Sequence, residues 1–114
     1  MESMNSWGTD INEIRTKYLP EIRKVDPELA DAGSLILMSI TEAALYANDG
    51  MKDHVKTSHI IRDLSDYHIM WLHRIKKKQG SYQQIETEIQ KMTKLLDRFY
   101  DTFVLTKPSR NSML

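Results

Sequence analysis

A regular apolar pattern runs through the last third of the chain. Its members follow one another at alternating intervals of three and four residues, and they are Tyr82, Ile85, Ile89, Met92, Leu96, Phe99 and Phe103. The positions between them are mostly Gln, Glu, Thr, Lys, Asp and Arg. Because this spacing returns to the same helix face every seven residues, the pattern predicts a helix packed along its length against other helices.

The preceding segment carries the same pattern in Thr57, Ile61, Leu64, His68, Trp71 and Ile75. Gly80 predicts the end of this helix, and Ser81 with Gln84 forms a capping-box sequence for the helix that follows. Since the connection is short, the two helices, at about 51–78 and 82–104, are expected to form a long antiparallel hairpin.

A first helix is predicted from Asp10, which stands in N-cap position with Glu13 three residues later. Its apolar positions are Ile11, Ile14, Tyr18, Ile22 and Val25. Pro20 interrupts them, so this helix either kinks there or restarts with the proline in its first turn.

A second helix is predicted to begin at Asp26-Pro27, because a capping carboxylate followed by proline is a typical helix start. From Leu35 onward it is apolar on nearly every side, which is typical of a buried helix, and this places it at the centre of the protein. The sequence Asn48-Asp49-Gly50 is expected to end it.

These four helices predict an all-α, four-helix bundle-like fold. Residues 1–9 are expected to be a flexible leader, 10–104 a single helical domain and 105–114 a flexible tail. The most apolar stretch, residues 35–47, is shorter than the roughly 20 residues that a membrane-spanning helix needs. No secretory signal pattern is found at the N-terminus, so a soluble, cytoplasmic protein without membrane contact is expected.

Composition excludes several chemistries. Lys plus Arg and Asp plus Glu number 16 each, so no net field favours nucleic acid or an anionic membrane. The absence of cysteine removes disulfides, thiolate nucleophiles and Cys-based zinc sites. No phosphate-binding loop, dinucleotide fingerprint or nucleophile elbow occurs, which argues against an enzyme.

Histidine gives no metal site. His54, His59, His68 and His73 lie in one predicted helix as two pairs five residues apart. Members of such a pair point about 140° apart, whereas ligands on one helix face need a spacing of three or four. No metal and no cofactor are therefore predicted. His68 falls on the inward face, where it needs a hydrogen-bond partner.

Arg62 and His68 are the candidate catalytic residues of a second alternative function. The segment from Arg62 to His68, RDLSDYH, resembles the R-x(4–6)-H motif of HEPN-type ribonucleases, which are small helical domains that usually act as dimers. That resemblance implies an arginine on the scissile phosphate and a histidine that moves a proton from the ribose 2′-hydroxyl. The resemblance covers seven residues, and in a continuous helix the two side chains point about 120° apart.

A second candidate is a basic segment just before the predicted turn, made of Arg74, Lys76, Lys77 and Lys78. Four cations within five residues suit a phosphate backbone, so a role as an accessory factor in nucleic-acid processing is an alternative function. The local alternative is that cations stabilise the negative end of a helix. Nucleic acid is therefore not the favoured partner.

The favoured function is a non-catalytic helical protein–protein interaction or adaptor module. The apolar patterns are longer than so small a chain needs for its own core, so self-association, with a dimer favoured, or contact with another helical protein is expected. We call the surface predicted for this contact the apolar face, and it comprises Ile61, Leu64, Trp71, Ile75, Tyr82, Ile85, Ile89, Met92, Leu96, Phe99 and Phe103.

Overall fold

The computed structural model describes residues 4–46 and 54–102, and within these ranges the protein is helical with no strand. The elements in chain order are α1 (Met4–Glu13), a π-helical turn (Ile14–Tyr18), α2 (Leu19–Val25), α3 (Pro27–Tyr46), α4 (His54–Lys77), a 3-10 turn (Gln83–Ile85) and α5 (Glu86–Thr102). The predicted all-α class is confirmed. The predicted helix end at Asn48-Asp49-Gly50, the helix start at Met51, Phe103 and the tail at 105–114 lie outside the described residues.

The first helix begins earlier than its sequence pattern indicates. α1 starts at Met4, and Trp7 on this helix is buried against Phe99 of α5, with ring centroids 6.1 Å apart. Asp10 lies inside α1 and forms an ion pair with Arg98. The predicted cap at Asp10 is wrong, because burial of an indole ring outweighs a local capping preference.

Pro20 restarts the helix, which was one of its two predicted effects. Proline lacks an N–H and its ring displaces the carbonyl four residues earlier, so the chain widens into the π-helical turn before α2 begins. The backbone N–H of Leu19 bonds to the carbonyl of Ile14, five residues earlier. The wider turn moves the buried side on by one residue, so that Leu19 is buried and Tyr18 is only half-buried.

The predicted start of α3 is confirmed. Asp26 has extended backbone dihedrals, as a residue before proline prefers. Its Oδ1 accepts hydrogen bonds from the backbone N–H groups of Glu28 at 3.1 Å and Leu29 at 3.4 Å. Two of the unpaired N–H groups at the start of α3 are thereby satisfied.

α3 lies at the centre of the fold, as predicted, and Gly33 is where its neighbours converge. A Cβ built on Gly33 would lie 2.8 Å from Leu19 Cδ2, 3.1 Å from the Trp71 ring and 3.3 Å from Met92 Cε. Side chains of α2, α4 and α5 therefore meet at this one position. Only the missing side chain of glycine leaves room for all three.

One side of α3 is nevertheless open. Met38 is 46% exposed and Leu45 39% exposed, although the sequence pattern predicts burial on nearly every side. By length and composition α3 could cross a membrane, and 56% of its most apolar stretch is buried against the rest of the protein, as in the core helix of many proteins. The helix is central but is not covered all round.

The contact between α4 and α5 differs from a closely packed hairpin. The backbone of α4 has its most extensive approach to α3, whereas α5 comes closest to α2 and the π-helical turn. Trp71 of α4 and Met92 and Tyr100 of α5 are fully buried, and the ring of Tyr100 lies 5.5 Å from the ring of His68 on α4. Gly80 lies in the turn after α4 and has a φ of +93°, which favours glycine. A 3-10 turn precedes α5, so the regular helix starts at Glu86 and not at 82.

Candidate interaction site

The apolar face is mostly internal to a single chain. Its fully or almost fully buried members are Leu64, Trp71, Tyr82, Ile85, Met92, Leu96 and Phe99, and they form the core with α1, α2 and α3. Ile61, Ile75 and Ile89 are half-buried, and Phe103 lies outside the described residues. The N-terminal helices already cover these buried members within one chain, and contact of this face with a partner stays a prediction.

A small part of the apolar face still reaches solvent. Ile75, Ile89 and the ring of Tyr82 form the floor of an open groove of about 330 Å³ where α4 turns into α5. Its rim carries polar side chains, namely Gln79, Gln83, Glu86 and Gln90. We call it the hinge groove. An apolar floor with a few amide groups at its edge is the usual lining of a ligand or peptide site.

A cluster of hydrogen-bonded charges lies under the hinge groove. Arg74 donates two hydrogen bonds to Asp26, from Nε to Oδ2 at 2.7 Å and from Nη2 to Oδ1 at 2.9 Å. Arg74 Nη1 also contacts Glu28 Oε2 at 2.8 Å, and the Tyr82 hydroxyl donates to Asp26 Oδ2. This clamp joins the start of α3, the end of α4 and the turn before α5, and it sets the position of the Tyr82 ring.

Electrostatics in the clamp favour a charged Asp26 and a neutral Tyr82. The hydrogen bonds from Arg74 lower the pKa of Asp26 to about 2, with smaller contributions from Tyr82 and the backbone N–H of Leu29, while burial opposes them. Burial, followed by the hydrogen bond to Asp26, raises the pKa of Tyr82 to about 12. Both groups therefore keep one protonation state across the neutral range.

The four cations of the basic segment have different surroundings in the structure. Arg74 forms ion pairs with Asp26 and Glu28, so the fold already neutralises its guanidinium, and its contact with nucleic acid stays a prediction. Lys76, Lys77 and Lys78 are exposed beside the hinge groove. In the part of the chain that the structure describes, none of these three lysines forms an ion pair with a carboxylate.

The two candidate catalytic residues lie in different environments on α4. Arg62 is exposed, whereas His68 is buried under α5. The Nδ1 atom of His68 lies 3.3 Å from the Tyr100 hydroxyl, and the two rings are 5.5 Å apart. Burial raises the pKa of Tyr100, and a hydrogen bond with Ser65 lowers it. The histidine predicted to face inward does so, and neither Arg62 nor His68 lines either of the two cavities described in this section.

A second cavity, of about 210 Å³, borders the π-helical turn. Lys91, Lys94 and Arg98 of α5 line it together with Tyr18 and Glu13. The Arg98 guanidinium is neutralised by Asp10 and stacks over Trp7 at 4.2 Å, and the Tyr18 hydroxyl donates to Glu13 Oε1 at 3.2 Å. The contacts of Arg98 join α5 to α1, the last and first described helices, and the bond from Tyr18 joins the π-helical turn to α1.

No group of three or more His, Asp or Glu side chains is placed to hold a metal ion within residues 4–46 and 54–102. Sequence reasoning missed Asp26 as the partner of Arg74 and the three glutamines of the hinge groove. Asp26 and Arg74 are 48 positions apart, and no local pattern connects them. Comparison with protein-family models, curated proteins and solved structures gives no match for this chain.

Proposed function

We propose that this chain is a non-catalytic helical interaction module that self-associates through the outer face of α3. The outer face comprises Ser34, Met38, Thr41 and Leu45, which follow one another at intervals of four, three and four residues. Ser34, Met38 and Leu45 are exposed, and Thr41 is half-buried. None of the four members of this stripe, which is three turns long, is charged, although Glu42 borders it beside Met38 and Leu45. So long an uncharged stripe is unusual on a surface helix, and this observation carries the proposal.

The hydroxyl of Thr41 does not make this face polar. It donates to the carbonyl of Leu37 at 2.8 Å, so its hydrogen-bonding demand is met within α3. The small side chains Ser34 and Thr41 alternate with Met38 and Leu45, which allows a second helix to approach closely. A two-fold axis across the outer face would set the same four side chains against their copies, as in most homodimers.

Sedimentation equilibrium of the wild type and two variants tests this proposal. The wild type is expected to have the mass of two chains, and Met38→Glu that of one, because two buried carboxylates would face each other across the axis. Ile69→Glu is the matched control: Ile69 is 37% exposed and lies one turn from Ser65, on the α5 side of α4. A wild-type mass of one chain, or loss of the dimer in the control alone, would contradict the proposal.

We also propose that α4 and α5 form an antiparallel hairpin about the Gly80 turn. The support comes from the contact of His68 with Tyr100, far from the turn, and the shared contact of Arg74 and Tyr82 with Asp26, close to it. Two pairs of spin labels, each with one label on α4 and one on α5, would measure the arrangement directly, with one pair close to the turn and one far from it. Unequal distances between the labels of the two pairs would contradict the hairpin.

A second candidate function is nucleic-acid binding in an accessory role, and the three exposed lysines of the basic segment favour it. With Arg74 occupied, at most three contacts with phosphate groups remain, so affinity should be weak and lost quickly as salt is raised. Electrophoretic mobility shifts with DNA and RNA at several salt concentrations test this candidate. The absence of a mobility shift at low salt would contradict this candidate function.

A further inference from the structure

The hinge groove has three features that bear on what it could bind. Ile75 and Ile89 of its floor are half-buried and stand beside the almost fully buried ring of Tyr82, whereas most of the apolar face is covered. Three glutamines stand at the rim, and each amide can both donate and accept a hydrogen bond. The neighbouring lysines at 76–78 have no carboxylate partner among the described residues.

We infer that the hinge groove is a docking site for a segment of a partner protein that carries bulky apolar side chains followed by acidic ones. The apolar side chains would occupy the floor, and the rim amides would bond to the partner backbone, as in other peptide-binding grooves. The acidic side chains would meet Lys76 and Lys78. This inference extends the proposed interaction function and uses a surface other than the outer face of α3.

Charge decides between this partner and a nucleic acid. Lys76, Lys77 and Lys78 would attract either one, but Glu86 stands in the groove wall itself and would repel a phosphate backbone that enters the groove. Glu86 is in the first turn of α5, where the helix dipole stabilises its charge. An apolar floor also gives a phosphate backbone nothing to bind, whereas it suits leucine, isoleucine or phenylalanine.

The clamp makes the hinge groove a preformed site. Tyr82 contributes its ring to the groove while its hydroxyl is held by Asp26, and Arg74 fixes the end of α4 against the same carboxylate. The lysines follow Arg74 directly in the chain, so their backbone is held close to the groove. A preformed site spends little conformational entropy on binding, which helps a short segment to bind.

Fluorescence polarisation with the full chain tests the inference. The first probe is a labelled peptide with two leucines three residues apart followed by three aspartates; in the second, lysines replace the aspartates, and the third is a labelled oligo(dT). The wild type is expected to bind the acidic peptide about tenfold more tightly than the lysine peptide, with affinity falling as salt rises from about 0.05 to about 0.5 M.

Two pairs of variants locate the binding. Gln83→Trp fills the groove and should weaken acidic-peptide binding about tenfold, whereas Gln84→Trp, an exposed neighbour outside the lining, should change it less than about twofold. The double variant K76E/K78E should lose affinity for the acidic peptide and gain it for the lysine peptide. Circular dichroism checks that each variant is folded.

Three results would overturn the inference: equal binding of both peptides, no effect of Gln83→Trp, or binding of oligo(dT) in preference to the acidic peptide. The last result would assign the lysines to nucleic acid. Met38→Glu keeps the groove, so this variant should still bind the acidic peptide as a single chain. Failure of self-association and failure of groove binding are therefore separate outcomes.

Discussion

At the scale of single residues, Asp26 has two structural roles at one position. It caps α3 through backbone N–H groups and accepts hydrogen bonds from Arg74 and Tyr82. The capping role was evident from the sequence, since Asp26-Pro27 is a local pattern. The contact with Arg74 was not, because it depends on how α4 packs against the start of α3.

The low pKa of Asp26 predicts a specific loss of stability in acid. Its pKa is about 2 in the folded protein and near 3.8 in the unfolded chain. The stabilisation is therefore complete above pH 4 and is lost as the pH falls through 2. Urea unfolding should show a loss of about 2 kcal/mol over this range that Asp26→Asn lacks. Asp31→Asn, which alters an exposed ion pair with Arg23, is the control and should behave like the wild type.

Substitution by alanine should change the stability of the protein in opposite directions at Gly8 of α1 and Gly33 of α3. Gly33→Ala places a methyl 2.8 Å from Leu19 and 3.1 Å from Trp71, so it should destabilise the protein by about 1–2 kcal/mol despite a better helix propensity. Gly8→Ala meets no atom within 4 Å and should stabilise by up to about 1 kcal/mol. Thermal unfolding measures both; destabilisation by both would contradict the packing described for Gly8.

At the scale of helices and turns, the π-helical turn decides which side chains the first segment buries. The sequence pattern assigned Ile14, Tyr18 and Ile22 to one face, as a regular α-helix would. In the structure the turn carries one additional residue, and Leu19 occupies the core position instead. Pro20 signalled an interruption, but not which way the buried face would rotate.

Alanine substitutions on either side of this turn test the rotation. Leu19→Ala removes a buried side chain that packs against Gly33, and it should cost about 2–4 kcal/mol of unfolding free energy. Tyr18→Ala removes a half-buried ring and a hydrogen bond to Glu13, and should cost about 1 kcal/mol. Chemical denaturation gives both values. A larger loss of unfolding free energy for Tyr18→Ala than for Leu19→Ala would contradict this rotation and favour a regular α-helix with Tyr18 in the core.

At the scale of the whole molecule, α1 and α5, the first and last described helices, are in direct contact. Trp7 packs edge to face on Phe99, and the Arg98 guanidinium lies over its indole ring while pairing with Asp10. Trp7 of α1 thus covers one end of the apolar stripe of α5, and the π-helical turn and α2 approach α5 most closely. The stripe predicts packing against other helices, and the N-terminal segment supplies part of that contact.

Removal of the Trp7 ring should therefore affect the whole fold. Trp7→Ala should cost about 3–5 kcal/mol, a large part of the roughly 5–15 kcal/mol that stabilises a typical domain. Trp7→Phe keeps an aromatic ring against Phe99 and should lose clearly less. Urea unfolding followed by circular dichroism checks both. A small loss for Trp7→Ala would mean that the N-terminal helix does not cover α5.

The sequence alone determined the helical class, the start of α3, the turn at Gly80 and the inward position of His68. Each of these depends on residues within one or two helical turns, where capping, backbone freedom and apolar spacing act. The tertiary structure decided that the N-terminal helices together cover most of the apolar face, that Leu19 and not Tyr18 is buried, and that Arg74 of the basic segment pairs with Asp26. These outcomes join residues far apart in the chain. Helix periodicity shows that a face must be covered, but it does not specify what covers it.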